Sequence, residues 1–150
     1  MHVAPKTQRG FTIIEVVLVL AIAGLIFLIV FVALPQLQRQ RRDTQRRKDV
    51  GQLIGALENY AGNNAADYPN TQGLTDSFKT GYLSNFNDPN TGSAYTITYG
   101  TAAPTTVGNI TYSAGAKCGT AGALTTTGAT AKQYAASTKL EGGYYCQSAN

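Results

Sequence analysis

Between Arg9 and Arg39 the chain carries a single charged side chain, Glu15, and it stands near the start of an apolar stretch that runs from residue 11 to residue 34. A carboxylate at mid-membrane depth on a helix costs about 2.5–3.5 kcal/mol on insertion scales, and less near an end, so something must compensate it. Gly10 and Phe11 suggest what. A cut between them would free an α-amino group one helical turn before Glu15, a cation of matching charge and depth, on the same chain or on a neighbour. Without that cut, Glu15 would read as a residue that snorkels to the lipid headgroups.

Other chemistry is hard to assemble. The single histidine, His2, lies ahead of Gly10 in the segment such a cut would discard. No Ser-His-Asp set, metal-ligand cluster or phosphate-gripping glycine loop can be built from the rest, so the chain reads as a non-enzyme that needs no cofactor. Asp67, Asp76, Asp88 and Glu141 are scattered and read as solvated loop carboxylates. Cys118 and Cys146 are spaced too widely for a zinc or redox motif. One disulfide in an oxidising compartment would stabilise the chain by about 3–4 kcal/mol in the chain-entropy model; two unpaired buried thiols are the alternative.

The elements that position these groups follow from patterning. The 150 residues are 43% hydrophobic, enough for one modest core. They are unevenly shared between a greasy stem and a head rich in Gly, Thr, Ala, Asn and Tyr. Residues 16–34 hold no charged or strongly polar side chain, and about 20 such residues let a helix cross a bilayer. A cleaved secretory signal is the rival reading, with Lys6 and Arg9 as its positive flank, but its apolar region usually ends after about 7–15 residues at a small-x-small site. Here the only Ala-x-Ala, Ala21 to Ala23, lies inside the run.

Four stretches result: a basic leader over 1–10, a membrane helix over 11–34, an amphipathic helix over 35–62 and a head over 63–150. In the amphipathic stretch Leu37, Val50, Leu53, Ile54, Leu57 and Tyr60 form the face to be covered. If the helices are continuous they reach on the order of 75 Å at 1.5 Å per residue. Pro35, with Gly24 as a second weak point, predicts a kink. Residues 61–92 read as a linking loop. Residues 94–99 and 109–113 read as strands, and 132–140 with 144–148 as a hairpin around Glu141-Gly142-Gly143, while the Gly-Thr-Ala stretch 119–130 reads as an exposed loop. The expected fold is α+β: a long N-terminal helix packed against a small antiparallel sheet. The tyrosines, among them Tyr95, Tyr99, Tyr112, Tyr134, Tyr144 and Tyr145, read as cover for helix and sheet before they read as an adhesive platform.

A basic leader ending in Gly10, then Phe11-Thr12-x-x-Glu15, then an apolar helix passing into an amphipathic one, resembles the type IV pilin and pseudopilin superfamily. The likeness is specific over "RGFTIIEVVLVLAIAGL" and looser beyond residue 60, where the "YP…GL…GYL…DP…G" order and the paired cysteines resemble a pilin's disulfide-closed C-terminal region. The resemblance implies a membrane prepilin peptidase that cuts after Gly10 and methylates the Phe11 amine. It implies that Glu15 neutralises the Phe11 amine of an adjacent subunit in a homo-oligomeric helical filament, with Thr12 part of the same motif. It also implies an inner-membrane assembly platform with its ATPase, and a precursor that is single-pass with its N-terminus cytoplasmic and its head outside. Some related pseudopilins hold calcium in C-terminal loops, which would draw on Asp88, Asn90 and Glu141, although their spacing does not support a site.

The segment 39–48 carries Arg39, Arg41, Arg42, Arg46, Arg47 and Lys48 against Asp43, half of the 12 Lys and Arg in a chain of net charge +4. Positive-inside counting would place this belt in the cytoplasm, against the motif. Three uses present themselves: a solvated collar facing lipid headgroups, with Asp43 pairing to Arg47; contact with acidic groups of neighbouring stems; and DNA binding, for which no aromatic stacking residues are interleaved. The leading functional expectation is a pilus subunit serving adhesion, twitching motility or DNA uptake. A secretion pseudopilin and a membrane-anchored binding module that does not polymerise are the alternatives.

Overall fold

The computed structural model describes residues 10–65, 67–69 and 76–149. The leader positions His2, Lys6 and Arg9, and all of the loop stretch 70–75, lie outside them. The chain falls into two compact units, Met1–Gln38 and Arg39–Asn150.

Helix α1 spans Ile13–Asn63 and supplies residues to both units. It continues as helix through Gly24 and Pro35, so the two helical stretches form one element. In the first unit its large apolar side chains are all uncovered, from Val30 at 42% exposed to Ile13 at 84%. The most apolar 18-residue window has mean hydropathy 3.3 and is 0% buried, which meets the length and composition of a membrane span.

In the second unit the helix buries one stripe. Val50, Leu53, Ile54 and Leu57 recur at helical spacing and are all but inaccessible, as the sequence predicts, with Tyr60 half-buried beside them. Leu37, expected on the same stripe, is instead 47% exposed. The partner surface is a four-stranded sheet, β1 (Thr96–Tyr99), β2 (Asn109–Ala114), β5 (Tyr134–Leu140) and β6 (Gly143–Ala149), in the order β1-β2-β5-β6. Its core-facing side chains include Ile110, Tyr112, Tyr134 and Ala136. The β5–β6 hairpin closes where Leu140 pairs Gly143, as expected. The sheet is mixed rather than wholly antiparallel, because β1 and β2 run parallel, Thr96 opposite Asn109. The excursion 100–108 carries the chain back to the starting end of β1 before β2 begins, which a hairpin turn would not do.

Two further expectations need correction. The linking loop contains a helix, α2 (Asp76–Tyr82), whose Phe78 is buried, edge-on to Tyr60 and stacked with Tyr82. A single apolar anchor in a seven-residue turn leaves too little periodicity to read from sequence. The Gly-Thr-Ala stretch is not simply an exposed loop. It forms a small ribbon of β3 (Lys117–Cys118) and β4 (Leu124–Thr125), held by backbone hydrogen bonds from Leu124 N to Thr101 O at 2.8 Å and from Gly119 N to Ala123 O at 2.9 Å. Leu124, Ala116 and Ala135 make a second small core there, with Cys146 packed on it. Gly122 has φ +81, and a Cβ at that position would run into the Tyr144 ring, so a glycine lets the ribbon lie this close. The Ser137 hydroxyl donates to the Gly122 carbonyl.

The tyrosines mostly fill the core. Tyr95, Tyr112 and Tyr134 are buried and Tyr99 and Tyr145 pack against them, leaving Tyr144 as the exposed one, its ring under Lys139 Nζ at 4.1 Å.

Candidate functional site

The first candidate site is the start of α1. Thr12 precedes the first helical residue, and Glu15 is the third residue of the helix. Thr12 N and Thr12 Oγ1 both donate to Glu15 Oε2 at 2.8 Å, and Glu15 N donates back to Thr12 Oγ1 at 3.4 Å. This reciprocal arrangement is a capping box: the helix-initiating threonine and the acid three residues on satisfy amide groups that the helix leaves open. The carboxylate also lies at the positive end of the helix dipole.

Glu15 therefore has a partner within its own chain before any amine is created, a role the sequence reading missed. The signal was present as Thr-x-x-Glu ahead of an apolar run. Among the described residues Glu15 Oε1 has no hydrogen bond, so one carboxylate oxygen is engaged and the other is open. Gly10 and Phe11 precede the cap and are exposed. They belong to no helix or strand. Phe11, Val16, Val19 and Leu20 with Glu15 line one apolar concavity of about 290 Å³.

The second candidate is the basic belt, and the fold divides it. Arg46 is fully buried. Its Nε donates to Asp88 Oδ2 at 2.7 Å and its Nη2 to Asp88 Oδ1 at 3.3 Å, while Nη1 reaches Asp43 at 3.0 Å and Glu141 at 3.3 Å. Arg42 grips both oxygens of Glu141, Nε to Oε1 at 2.6 Å and Nη2 to Oε2 at 3.0 Å. Asp43 thus pairs with Arg46 rather than with Arg47, and its Oδ1 also accepts the Glu141 backbone N–H at 3.1 Å. Asp88 accepts the Asn90 and Thr91 amides as well. Burial alone would raise the Asp88 pKa, but the Arg46 hydrogen bonds and these amides outweigh it and hold the carboxyl below its ordinary value. The Arg42 hydrogen bond likewise lowers that of Glu141.

Asp88 and Glu141 are therefore not free loop carboxylates, and the calcium reading loses its donors. Arginine already occupies them, and among the described residues no group of three or more His, Cys, Asp or Glu could hold a metal. Arg39 sits at the margin, 3.6 Å from Glu141 with its side chain 66% exposed. Arg47 lies 5.8 Å from the Tyr145 ring. Arg41 and Lys48 are exposed and without a partner among the described residues. A solvated belt of six cations is thus reduced to a few outward ones.

Cys118 and Cys146 form the expected disulfide, with Cα atoms 5.8 Å apart, tying the β3–β4 ribbon to β6.

No curated protein and no solved structure matches the chain. Residues 5–31 match the family described as the prokaryotic N-terminal methylation motif. That span contains Gly10, Phe11, Thr12 and Glu15 and the first half of the uncovered apolar helix, so the capping box and the accessible Gly10–Phe11 bond are the local structure of a type IV pilin or pseudopilin leader signature.

Proposed function

We propose that this chain is the structural subunit of a type IV pilus. It is made as a membrane-inserted precursor, cut after Gly10, N-methylated at Phe11 and polymerised through its N-terminal helix into an extracellular filament. The observation that carries the reading is the conjunction of the methylation motif with an apolar helix whose surface is uncovered on every side. Lipid covers such a surface in the precursor; the helices of other copies cover it in a filament.

Glu15 then has two successive jobs. In the inserted precursor its carboxylate is held by the Thr12 cap, which lowers the cost of an acid near the hydrocarbon boundary. After cleavage its open oxygen accepts the Phe11 ammonium of an adjacent subunit, and that pairing fixes the axial register. The prepilin peptidase and an assembly platform with its ATPase are the partners this sequence of events requires. Adhesion, twitching and DNA uptake are the uses such a filament serves.

Mass spectrometry of the mature chain tests the processing: the expected species begins at N-methylated Phe11 and is two hydrogens lighter than the reduced form. Glu15→Ala tests the assembly, with loss of filaments while membrane-held subunit persists. Mature material that still begins at Met1, or filaments formed normally by Glu15→Ala, would overturn the proposal. Electron microscopy separates pilus from secretion pseudopilus: long external fibres containing the chain support the first, signal confined to the envelope the second.

A further inference from the structure

We infer that the collar of α1 just beyond the apolar stretch, Gln38 to Arg41, is a binding surface for the phosphates of anionic phospholipids, with Arg39 and Arg41 as its charged contacts. The inference rests on the membrane reading above and adds to it which lipid chemistry the stem selects.

The argument begins with the division of the belt. Arg46 is buried on Asp43 and Asp88, and Arg42, though partly exposed, is held by both oxygens of Glu141, so both are already paired. Arg41 has none of these contacts, and Arg39 touches Glu141 only at 3.6 Å with most of its side chain in solvent. Sequence position supplies the next step. Arg39 and Arg41 follow the last residue of the apolar stretch, Leu34, by five and seven positions. A headgroup layer is roughly 5–7 Å deep on each side of the hydrocarbon, and a helix crosses it in about four or five residues at 1.5 Å each. Arg39, about 7.5 Å along the helix from Leu34, stands at the outer edge of that layer and Arg41, about 10.5 Å along, just outside it. Both therefore meet phosphate by reaching back with their long side chains, and arginine's fork donates two parallel hydrogen bonds to it.

The third step separates lipid from a macromolecular partner. Consecutive helical residues step by about 100°, so Gln38, Arg39, Gln40 and Arg41 ring the helix, all four exposed. A neighbouring protein or a duplex would meet one face, whereas lipid surrounds a stem and is met on all of them. Hydrogen-bond donors and cations fill this ring, with no acid before Asp43.

The test uses the full-length precursor in detergent micelles doped with equal amounts of phosphatidylglycerol and phosphatidylcholine. Native mass spectrometry reads the ratio of retained lipids. Wild type is expected to retain the anionic lipid in excess, and Arg39→Gln and Arg41→Gln each to reduce that excess by up to about fivefold at low ionic strength. Lys48→Gln, an outward cation seven residues further on, is expected to leave it unchanged. Circular dichroism and an intact disulfide check that each variant is folded. Equal retention of both lipids by wild type, a Lys48→Gln effect as large as that of Arg41→Gln, or tighter binding of duplex DNA than of anionic vesicles would overturn the inference. Release of the precursor from membranes by alkaline extraction would instead remove the membrane reading beneath it.

Discussion

Leu18 and Leu25 are 59% and 64% exposed, whereas Leu53 and Leu57, on the same helix, are 0% exposed. The residue type and the element are shared, and only the surroundings differ. In the second unit the apolar stripe is narrow and the chain supplies its own cover, a sheet with the side chains of Ile110, Tyr112 and Tyr134 turned toward it. In the first unit apolar residues face every direction, and none of the large ones is buried. A helix apolar all round belongs in a protein core or a membrane, and under the pilus proposal lipid and then other copies of the chain take that place. The contrast extends to charge. Glu15 is capped by its own helix end and left half open, whereas Asp88 is enclosed by an arginine and two amides. One unit leaves its interactions unfinished; the other completes them.

The largest expected effect comes from reopening the completed unit at its most enclosed charge. Arg46→Met leaves Asp88 buried without its cation and is expected to destabilise the second unit by about 3–5 kcal/mol, read from chemical denaturation of the full chain in detergent. Adding Asp88→Asn removes the orphaned charge while keeping an acceptor for the Asn90 and Thr91 amides, and is expected to recover part of that loss. The pH dependence carries the same signature. The folded-state pKa of Asp88 and of Glu141 is depressed, so the stability they contribute is fully present above their ordinary values of 3.8 and 4.5 and is lost as pH falls through and below that range. Wild type should lose stability steeply on that acid limb, and the double variant should lose the part due to Asp88. An Arg46→Met head as stable as wild type would show that the arginine cluster is incidental and that the apolar core alone seals the unit.

How far the fold could be read ahead of the structure tracks the same contrast. The stem was legible residue by residue, because length, apolarity and one misplaced acid are properties of contiguous sequence. The covered stripe from Val50 to Leu57 and the hairpin were legible for the same reason, each resting on a local spacing, whereas the cysteine pair was legible because the sequence holds just two cysteines, too far apart for a metal or redox motif. The inward turn of Arg46 was not, since two of its three partners lie 42 and 95 residues away and a run of arginines looks the same whether solvated or paired. The parallel β1–β2 pairing and the ribbon over 117–125 were hidden likewise: chain reversal over an irregular excursion and the burial of Leu124 in a Gly-Thr-Ala context depend on what lies across from them. Thr12 is the exception. Its cap is local and readable, and it went unread because the motif around Glu15 invited an intermolecular explanation first.

A middle-sized effect sharpens the reading of the unfinished end. Thr12→Ala removes the oxygen that accepts the Glu15 amide and one of the two donors to its carboxylate, a loss of about 0.5–2 kcal/mol for a helix N-cap. In micelles this should appear as amide exchange at Glu15 and Val16, the two amides bonded to Thr12, faster by about fivefold for a typical loss of 1 kcal/mol, with Thr12→Ser close to wild type. Unchanged exchange in the alanine variant would mean that the box is not holding the helix end, and Glu15 would revert to an acid without a partner in the precursor.

The smallest effects test how complete the sealed unit is, using one substitution at three buried tyrosines. Tyr95 donates to Asp49 Oδ2 at 2.6 Å inside the core, so Tyr95→Phe takes away one of the two hydrogen bonds to that buried carboxylate, the other coming from Gln45, and should cost about 1–3 kcal/mol. Tyr134 donates to Glu58 at 2.7 Å, but Glu58 is open to water and can replace the bond, so Tyr134→Phe should cost less than about 1 kcal/mol. Tyr112 is equally buried, yet its hydroxyl has no hydrogen-bond partner among the described residues. Folding strips water from that oxygen and returns nothing, so Tyr112→Phe removes a cost and keeps the ring packed edge-on to Tyr99. Its stability should equal or exceed that of wild type by up to about 1 kcal/mol, the opposite sign from Tyr95→Phe for the same lost atom. If all three variants lose stability alike, the Tyr112 hydroxyl has a partner after all, and the second unit is sealed more completely than its hydrogen bonds indicate.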